Sequence, residues 1–147
     1  MENEVGHEIA DALGVLLRRT TRTQLYSALT EGLGESVDEL TYPILSALAR
    51  IGARSAADLA AEVGLDRSGV TRRATRLEEA GLIRRDPDPT DRRASLLVLT
   101  DEGNRTVAEL RRRLAARITD SLGAWPAGEA AAFARYLQRF MAEGPFN

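Results

Sequence analysis

A chain of 147 residues, 44% hydrophobic and 29% charged, has the balance of one folded domain or one protomer of an oligomer, not of a disordered segment. It holds no cysteine and a single histidine, His7, which excludes disulfides and thiol redox sensing and leaves zinc sites and most nucleophile–base pairs hard to assemble. No apolar run approaches the ~20 residues that span a bilayer, and the acidic start MENEVGHEIADALGV lacks the basic stretch and cleavage site of a signal peptide, so a cytoplasmic chain without metal, cofactor or membrane partner is expected.

Val5, Ile9, Leu13, Leu16 and Leu17 recur at helical spacing, and Leu25, Ala28 and Leu29 resume it. That pattern predicts one long helix over 5–31, ended by the glycines of GLGES. A second helix is expected over 38–50, with Leu40, Ile44, Leu45 and Leu48 inward and Pro43 in its first turn. Ser55 followed by Asp58 reads as a capping box with Asp replacing Glu, opening a helix that runs to Val63 and stops at Gly64. Asp66 caps the next helix, which runs to about Ala80 and stops at Gly81. Residues 82–85 and 94–99 are strand candidates on either side of a turn at 86–93. The second strand is apolar on both faces, so it must pack on helices rather than form a free hairpin. Thr100 caps a helix whose first turn holds Asp101 and Glu102 and whose apolar stripe is Val107, Leu110, Leu114, Ile118 and Leu122. The stretch 123–126 breaks it, with Trp125 as a packing anchor. A last helix over 127–142 carries Phe133, Leu137, Phe140 and Met141.

The order helix, helix, helix–turn–helix, hairpin, helix, helix describes a mostly α chain with a small β-hairpin wing. Residues 38–100 are expected to form a winged helix-turn-helix lobe of a single 1–147 protomer, with 1–34 and 101–147 as flanking long helices, the dimerisation helices of the resemblance described below. The last two helices carry more apolar surface than a small wing domain needs to cover itself.

The formal charge of −2 hides an uneven distribution. Residues 1–49 carry net −5, residues 50–93 net +2 and residues 94–147 net +1, and every basic side chain is Arg. In the helix DRSGVTRRATRLEEAG, Val70, Ala74 and Leu77 form one buried stripe, while Ser68, Thr71, Arg72 and Thr75 share another face. That face is small, polar and basic, and suits a major groove whose guanines offer acceptors to Arg. Arg67, Arg73 and Arg76 flank the stripe within reach of phosphates. Read alone, the same helix is equally an amphipathic surface helix with a solvated Arg face. Gly69 costs roughly 1 kcal/mol of helix propensity, which implies a close approach there.

The turn DPDPTDRRASLLVLT favours the DNA reading. Pro87 and Pro89 stiffen it. Arg92 and Arg93 stand at its tip, and a narrow minor groove attracts an inserted Arg. Asp91 is near enough to orient a neighbouring guanidinium. Asp86 and Asp88 would repel phosphate, so they are expected to point away or to pair with Arg84 or Arg85.

With those residues in place, residues 40–103 resemble the DNA-binding core of the MarR family of transcriptional regulators. The most specific features are Asp91-Arg92-Arg93 before an apolar strand ending in Leu99-Thr100, and Leu77-Glu78 followed by Gly81-Leu82-Ile83. The resemblance implies that Arg93 enters the minor groove beside Arg92, and that Arg67, Ser68, Thr71 and Arg72 contact DNA. The family often has a hydroxyl residue at the position of Gly69. It also implies an obligate homodimer on a pseudo-palindromic operator, and a repressor released by a small aromatic or phenolic anion. Tyr26, Tyr42 and Arg18 or Arg19 are candidates to line that anion's cleft, though for any one tyrosine the role of an ordinary boundary residue is the stronger expectation. The missing cysteines argue against the family's peroxide-sensing branch. The competing reading is a winged-helix protein–protein interaction module without specific DNA binding. An enzyme is not expected, since no metal cluster, phosphate-cradling loop or acid–base pair stands out.

Overall fold

The structure, a computed structural model, describes residues 2–146, so Met1 and Asn147 at the ends of the two expected arms lie outside the described residues. The chain forms two compact units, one up to Arg111 and one from Arg112 onward. The first holds α1 (Glu2–Leu17), α2 (Arg19–Thr30), α3 (Tyr42–Ile51), α4 (Ala56–Val63), α5 (Arg67–Glu79), β1 (Ile83–Pro87), β2 (Ser95–Leu99) and the start of α6 (Asp101–Leu122). The second holds the rest of α6 and α7 (Glu129–Glu143).

Local signals set most of these boundaries. The Ser55 side chain accepts the Asp58 N–H at 3.2 Å, and the Asp66 side chain accepts the Gly69 N–H at 2.6 Å. Each satisfies a donor that a helix start leaves without an internal partner. Gly64 closes α4 in the left-handed region at φ 71°, a conformation that Gly adopts without steric cost. Thr100 does double duty at the start of α6: its hydroxyl accepts the Gly103 N–H at 3.1 Å and donates to the Gly81 carbonyl at 2.6 Å.

Two boundaries differ from expectation. The helix predicted over 5–31 breaks at Arg18, whose backbone is extended (φ −61°, ψ 139°). The Thr21 hydroxyl donates to the Val15 carbonyl at 2.7 Å, which holds the break in place. The second correction concerns the helix predicted from 38, which starts instead at Tyr42. Asp38 Oδ1 accepts the N–H groups of Leu40 and Thr41 at 3.0 and 3.1 Å, a turn that competes with helix. Leu40 is therefore exposed, and Thr41 is fully buried in its stead. Pro43 lies in the first turn of α3, where its missing N–H costs nothing.

Leu29, Ile44, Leu45, Leu59, Val70, Leu77, Ile83 and Leu97 are fully buried and form the core of the first unit. At about 1.5–3 kcal/mol per buried side chain, this cluster is the main force holding α3, α4 and α5 against the hairpin. The strands pair antiparallel, with Ile83 opposite Leu99 and Pro87 opposite Ser95. Leu97 also exchanges two backbone bonds with Arg54 at 2.8 and 3.3 Å, which adds a one-residue third strand. At Gly103, α6 lies directly on the chain entering β1: a Cβ there would collide with the Leu82 carbonyl oxygen and come within 3.1 Å of Leu99 Cδ2.

In the second unit the Trp125 ring packs on Phe133 at 5.4 Å between centroids. Phe133, Tyr136, Leu137 and Met141 nonetheless stay exposed, as do Val5, Ile9, Leu16 and Leu17 on α1. These are apolar stripes left uncovered by the protomer, of the kind that mark association surfaces. Among the described residues, no helix is long and apolar enough to cross a membrane.

Candidate nucleic-acid interface

The reading face lies on α5. Val70, Ala74 and Leu77 turn inward and are fully buried, while Arg67, Ser68, Thr71, Arg72 and Thr75 are exposed. Gly69 sits under the cap: a Cβ there would come 2.8 Å from Asp66 Oδ1, so the close approach is to the helix's own capping carboxylate. The Thr71 hydroxyl donates to the Arg67 carbonyl and the Thr75 hydroxyl to the Thr71 carbonyl, both at 2.9 Å. Each proton is thus engaged by the helix backbone, and the Thr75 oxygen also accepts from Arg85 Nη2 at 3.5 Å.

Arg76 does not share this openness. Its guanidinium donates to the Glu35 carbonyl at 2.9 Å and to Asp38 Oδ2 at 2.7 Å. Burial alone would raise the Asp38 carboxyl, but hydrogen bonds from Arg76, Thr41 and Leu40 hold it below its ordinary value. Arg76, expected to flank the stripe within reach of phosphates, is engaged here in an internal bridge.

The acids of the hairpin bond its own backbone, Thr90 and Arg84, and Asp88 and Asp91 also line the cleft that Arg67, Thr71 and Arg93 share. Arg84 Nε donates to Asp86 Oδ1 at 3.1 Å, as anticipated. Arg85 reaches across to Glu78 on α5 at 3.3 Å instead of to an aspartate of the turn. Asp88 accepts both the N–H and the hydroxyl of Thr90, at 2.9 and 2.8 Å, and these bonds hold its carboxyl below the usual range. Asp91 differs from expectation: its carboxylate accepts the Arg93 backbone N–H at 2.9 Å rather than a guanidinium. An Asp bonding the N–H two residues on is the ordinary Asx turn, so Asp91 shapes the tip and leaves the Arg93 side chain exposed with that of Arg92.

One cleft of about 510 Å³ joins these parts, lined among others by Ser55 at the start of α4, Arg67 and Thr71 on α5, and Arg85, Arg93 and Ser95 on the hairpin. A second cavity, of about 200 Å³, lies where Tyr26 and Tyr42 stack at 4.3 Å between centroids. Arg22, Ser46, Arg50 and Glu62 line it with them; Arg18 does not, because it stands at the helix break one turn before Arg22. Burial, and then the adjacent Tyr26, push the Tyr42 hydroxyl above its usual value. Arg50 pairs with Glu62 at 3.1 Å. Arg22 and Arg50 escaped the sequence reading, yet their spacing held the signal: Arg22 precedes Tyr26 by four residues, and Tyr42, Ser46 and Arg50 follow at the same interval along α3. Among the described residues, no group of three or more His, Cys, Asp or Glu side chains is placed to hold a metal.

Residues 37–94 match the model of the MarR family. A putative transcriptional regulatory protein for the hcr operon of Thauera aromatica is 32% identical over 110 residues, which cover 75% of this chain but only 62% of that protein's length. The uncharacterized HTH-type transcriptional regulator YxaD of Bacillus subtilis is 30% identical over 118 residues, 80% of this chain and 82% of that one. The PcaV transcriptional regulator from Streptomyces coelicolor, solved in complex with its natural ligand, superposes with a TM-score of 0.58 at 30% identity over 92% of this chain and 90% of its own. A MarR transcriptional regulator from Methanosarcina mazei superposes with a TM-score of 0.72 over 92% and 95% of the two chains, a likeness of fold alone at 17% identity.

Proposed function

This chain belongs to the MarR family of transcriptional regulators, and from that premise we propose that it binds double-stranded DNA sequence-specifically as a homodimer and represses transcription until a small ligand releases it. The observation that carries the reading is the shared cleft, in which Arg67 and Thr71 of α5 meet Arg93 of the hairpin. α5 presents Arg67, Ser68, Thr71, Arg72 and Thr75 to the major groove, where Arg takes guanine acceptors, the Ser68 hydroxyl takes a base edge or phosphate, and the threonine oxygens accept from base amino groups. The hairpin presents Arg93, with Arg92 beside it, to the minor groove, where the backbone potential draws a guanidinium in. Asp91 sets the Arg93 backbone for that insertion.

The uncovered apolar stripes of α1 and α7 support a homodimer, and two copies read two half-sites about one helical turn apart in a pseudo-palindrome. The Tyr26–Tyr42 stack, with Arg22 and Arg50 at its edge, supports a small aromatic or phenolic anion as effector: the rings offer flat apolar faces and a guanidinium takes a carboxylate. A DNA partner goes with a cytoplasmic location.

Selection of duplexes from a random pool tests the reading directly, and a recurrent two-fold motif is the expected result. Arg93→Ala should then lose most of its affinity for the selected duplex at fixed salt while remaining a dimer. Unchanged affinity removes the hairpin from the mechanism. The net charge of −2 is the one feature that favours a protein-binding module instead. That alternative predicts no enriched motif and a flat dependence of binding on salt, where several phosphate contacts give a steep one.

A further inference from the structure

Arg76 lies in the last turn of α5, on a helix whose other arginines face outward or flank its exposed face. By sequence it belongs with the phosphate contacts. Its geometry is that of an anchor. One guanidinium nitrogen donates to two acceptors 41 and 38 residues earlier in the chain, the Glu35 carbonyl and Asp38 Oδ2.

The acceptors are themselves fixed. Asp38 uses its other oxygen to hold the Leu40 and Thr41 N–H groups. Thr41 is fully buried, and its hydroxyl donates to the Ser36 carbonyl at 2.7 Å while accepting the Asp38 N–H at 3.1 Å. The turn between α2 and α3 is therefore a closed hydrogen-bonded unit, with a carboxylate already aimed when Arg76 arrives. Such pre-aimed acceptors lower the ordering cost of a long side chain. The buried Val70, Ala74 and Leu77 hold α5 on the core, and the Arg76 bridge ties its C-terminal turn to the α2–α3 turn.

We propose that Arg76 is a positioning residue for DNA recognition: its bridge to Asp38 and Glu35 fixes the pose of α5, and it acts without touching DNA. The proposal rests on the DNA-binding reading given above.

The test compares the full-length protein with Arg76→Met, Asp38→Asn and the double variant, each on the selected duplex and on a random duplex across a range of salt concentrations. Circular dichroism and size-exclusion chromatography first establish that each is a folded dimer. Charge alone predicts that Asp38→Asn binds DNA more tightly, since it deletes a negative group from the protein. Positioning predicts the opposite: affinity for the selected duplex falls roughly fivefold to tenfold, the ratio of selected to random binding narrows, and the double variant falls no further than the worse single one. Arg76→Met should keep the wild-type slope of log K against log salt. A slope reduced by about one unit would reveal a lost phosphate contact and overturn the proposal, as would an Asp38→Asn variant that binds as tightly as wild type or more so. If the wild-type protein selects no duplex at all, the DNA-binding reading fails first, and this one falls with it.

Discussion

Gly103→Ala sets two effects of opposite sign against each other. Gly103 lies in the first turn of α6, and helix propensity alone favours Ala over Gly by about 1 kcal/mol. The position is not open, however. The added Cβ would land on the Leu82 carbonyl oxygen and 3.1 Å from Leu99 Cδ2. That carbonyl accepts the Thr100 N–H at 3.1 Å, so it cannot retreat without weakening a bond worth about 1 kcal/mol. Overpacking against backbone adds roughly 1–3 kcal/mol. The cost therefore exceeds the propensity gain, for a net loss of about 1–3 kcal/mol. Thermal unfolding followed by circular dichroism at fixed protomer concentration should show Tm lowered by about 2–4 °C for each kcal/mol. Because Leu82 leads into β1, affinity for DNA should fall as well. A Tm equal to or above wild type would mean that propensity wins, and that α6 is not seated on the hairpin root as described.

Arg72→Ala should cost about 1–3 kcal/mol of DNA affinity and relax preference at one base position if Arg72 makes a bidentate base contact; a uniform loss on all duplexes in a gel-shift series would reassign it to phosphate. Leu137→Glu places a charge on the uncovered α7 stripe and should convert the dimer to monomers in analytical ultracentrifugation, whereas a persistent dimer would put the interface elsewhere. The Asp38 carboxyl, which burial would raise, is instead held below its ordinary value by Arg76 and two backbone N–H groups. A depressed carboxylate adds stability that is present above its unfolded value of about 3.9 and lost as pH falls through the lower folded value. Asp38→Asn should accordingly flatten the acid limb of a Tm-against-pH curve, and an unaltered limb would show that the bridge contributes nothing there.

The features legible in the sequence are those whose partners lie within one helical turn. Ser55, Asp66 and Thr100 cap helices through backbone groups three residues ahead, and the Val70–Ala74–Leu77 stripe follows helical period. The break at Arg18 left no trace in that period, because apolar residues keep their spacing on both sides while a threonine hydroxyl does the work of stopping the helix. Leu40 looked inward for the same reason: an Asx turn replaced the helix on which the spacing was counted. Arg76 was beyond local reading altogether, since its acceptors are 38 and 41 residues away. The single-residue pairing of Arg54 with Leu97 is too short to carry any periodicity. Arg22 in place of Arg18 beside the tyrosines depends on the phase of α2, which changes once the long helix is cut in two.

The two back-bonded threonines of α5 have lost their freedom to donate, while its arginines can only donate. Apart from Ser68, the face is therefore polarised into fixed hydrogen-bond signs instead of adaptable ones. On the proposed DNA reading, an operator should present an amino group, from adenine N6 or cytosine N4, opposite Thr71, and the O6 and N7 of guanine opposite Arg67 and Arg72. A guanine facing Thr71 would then meet oxygen with oxygen, so repulsion would add to fit in the discrimination there.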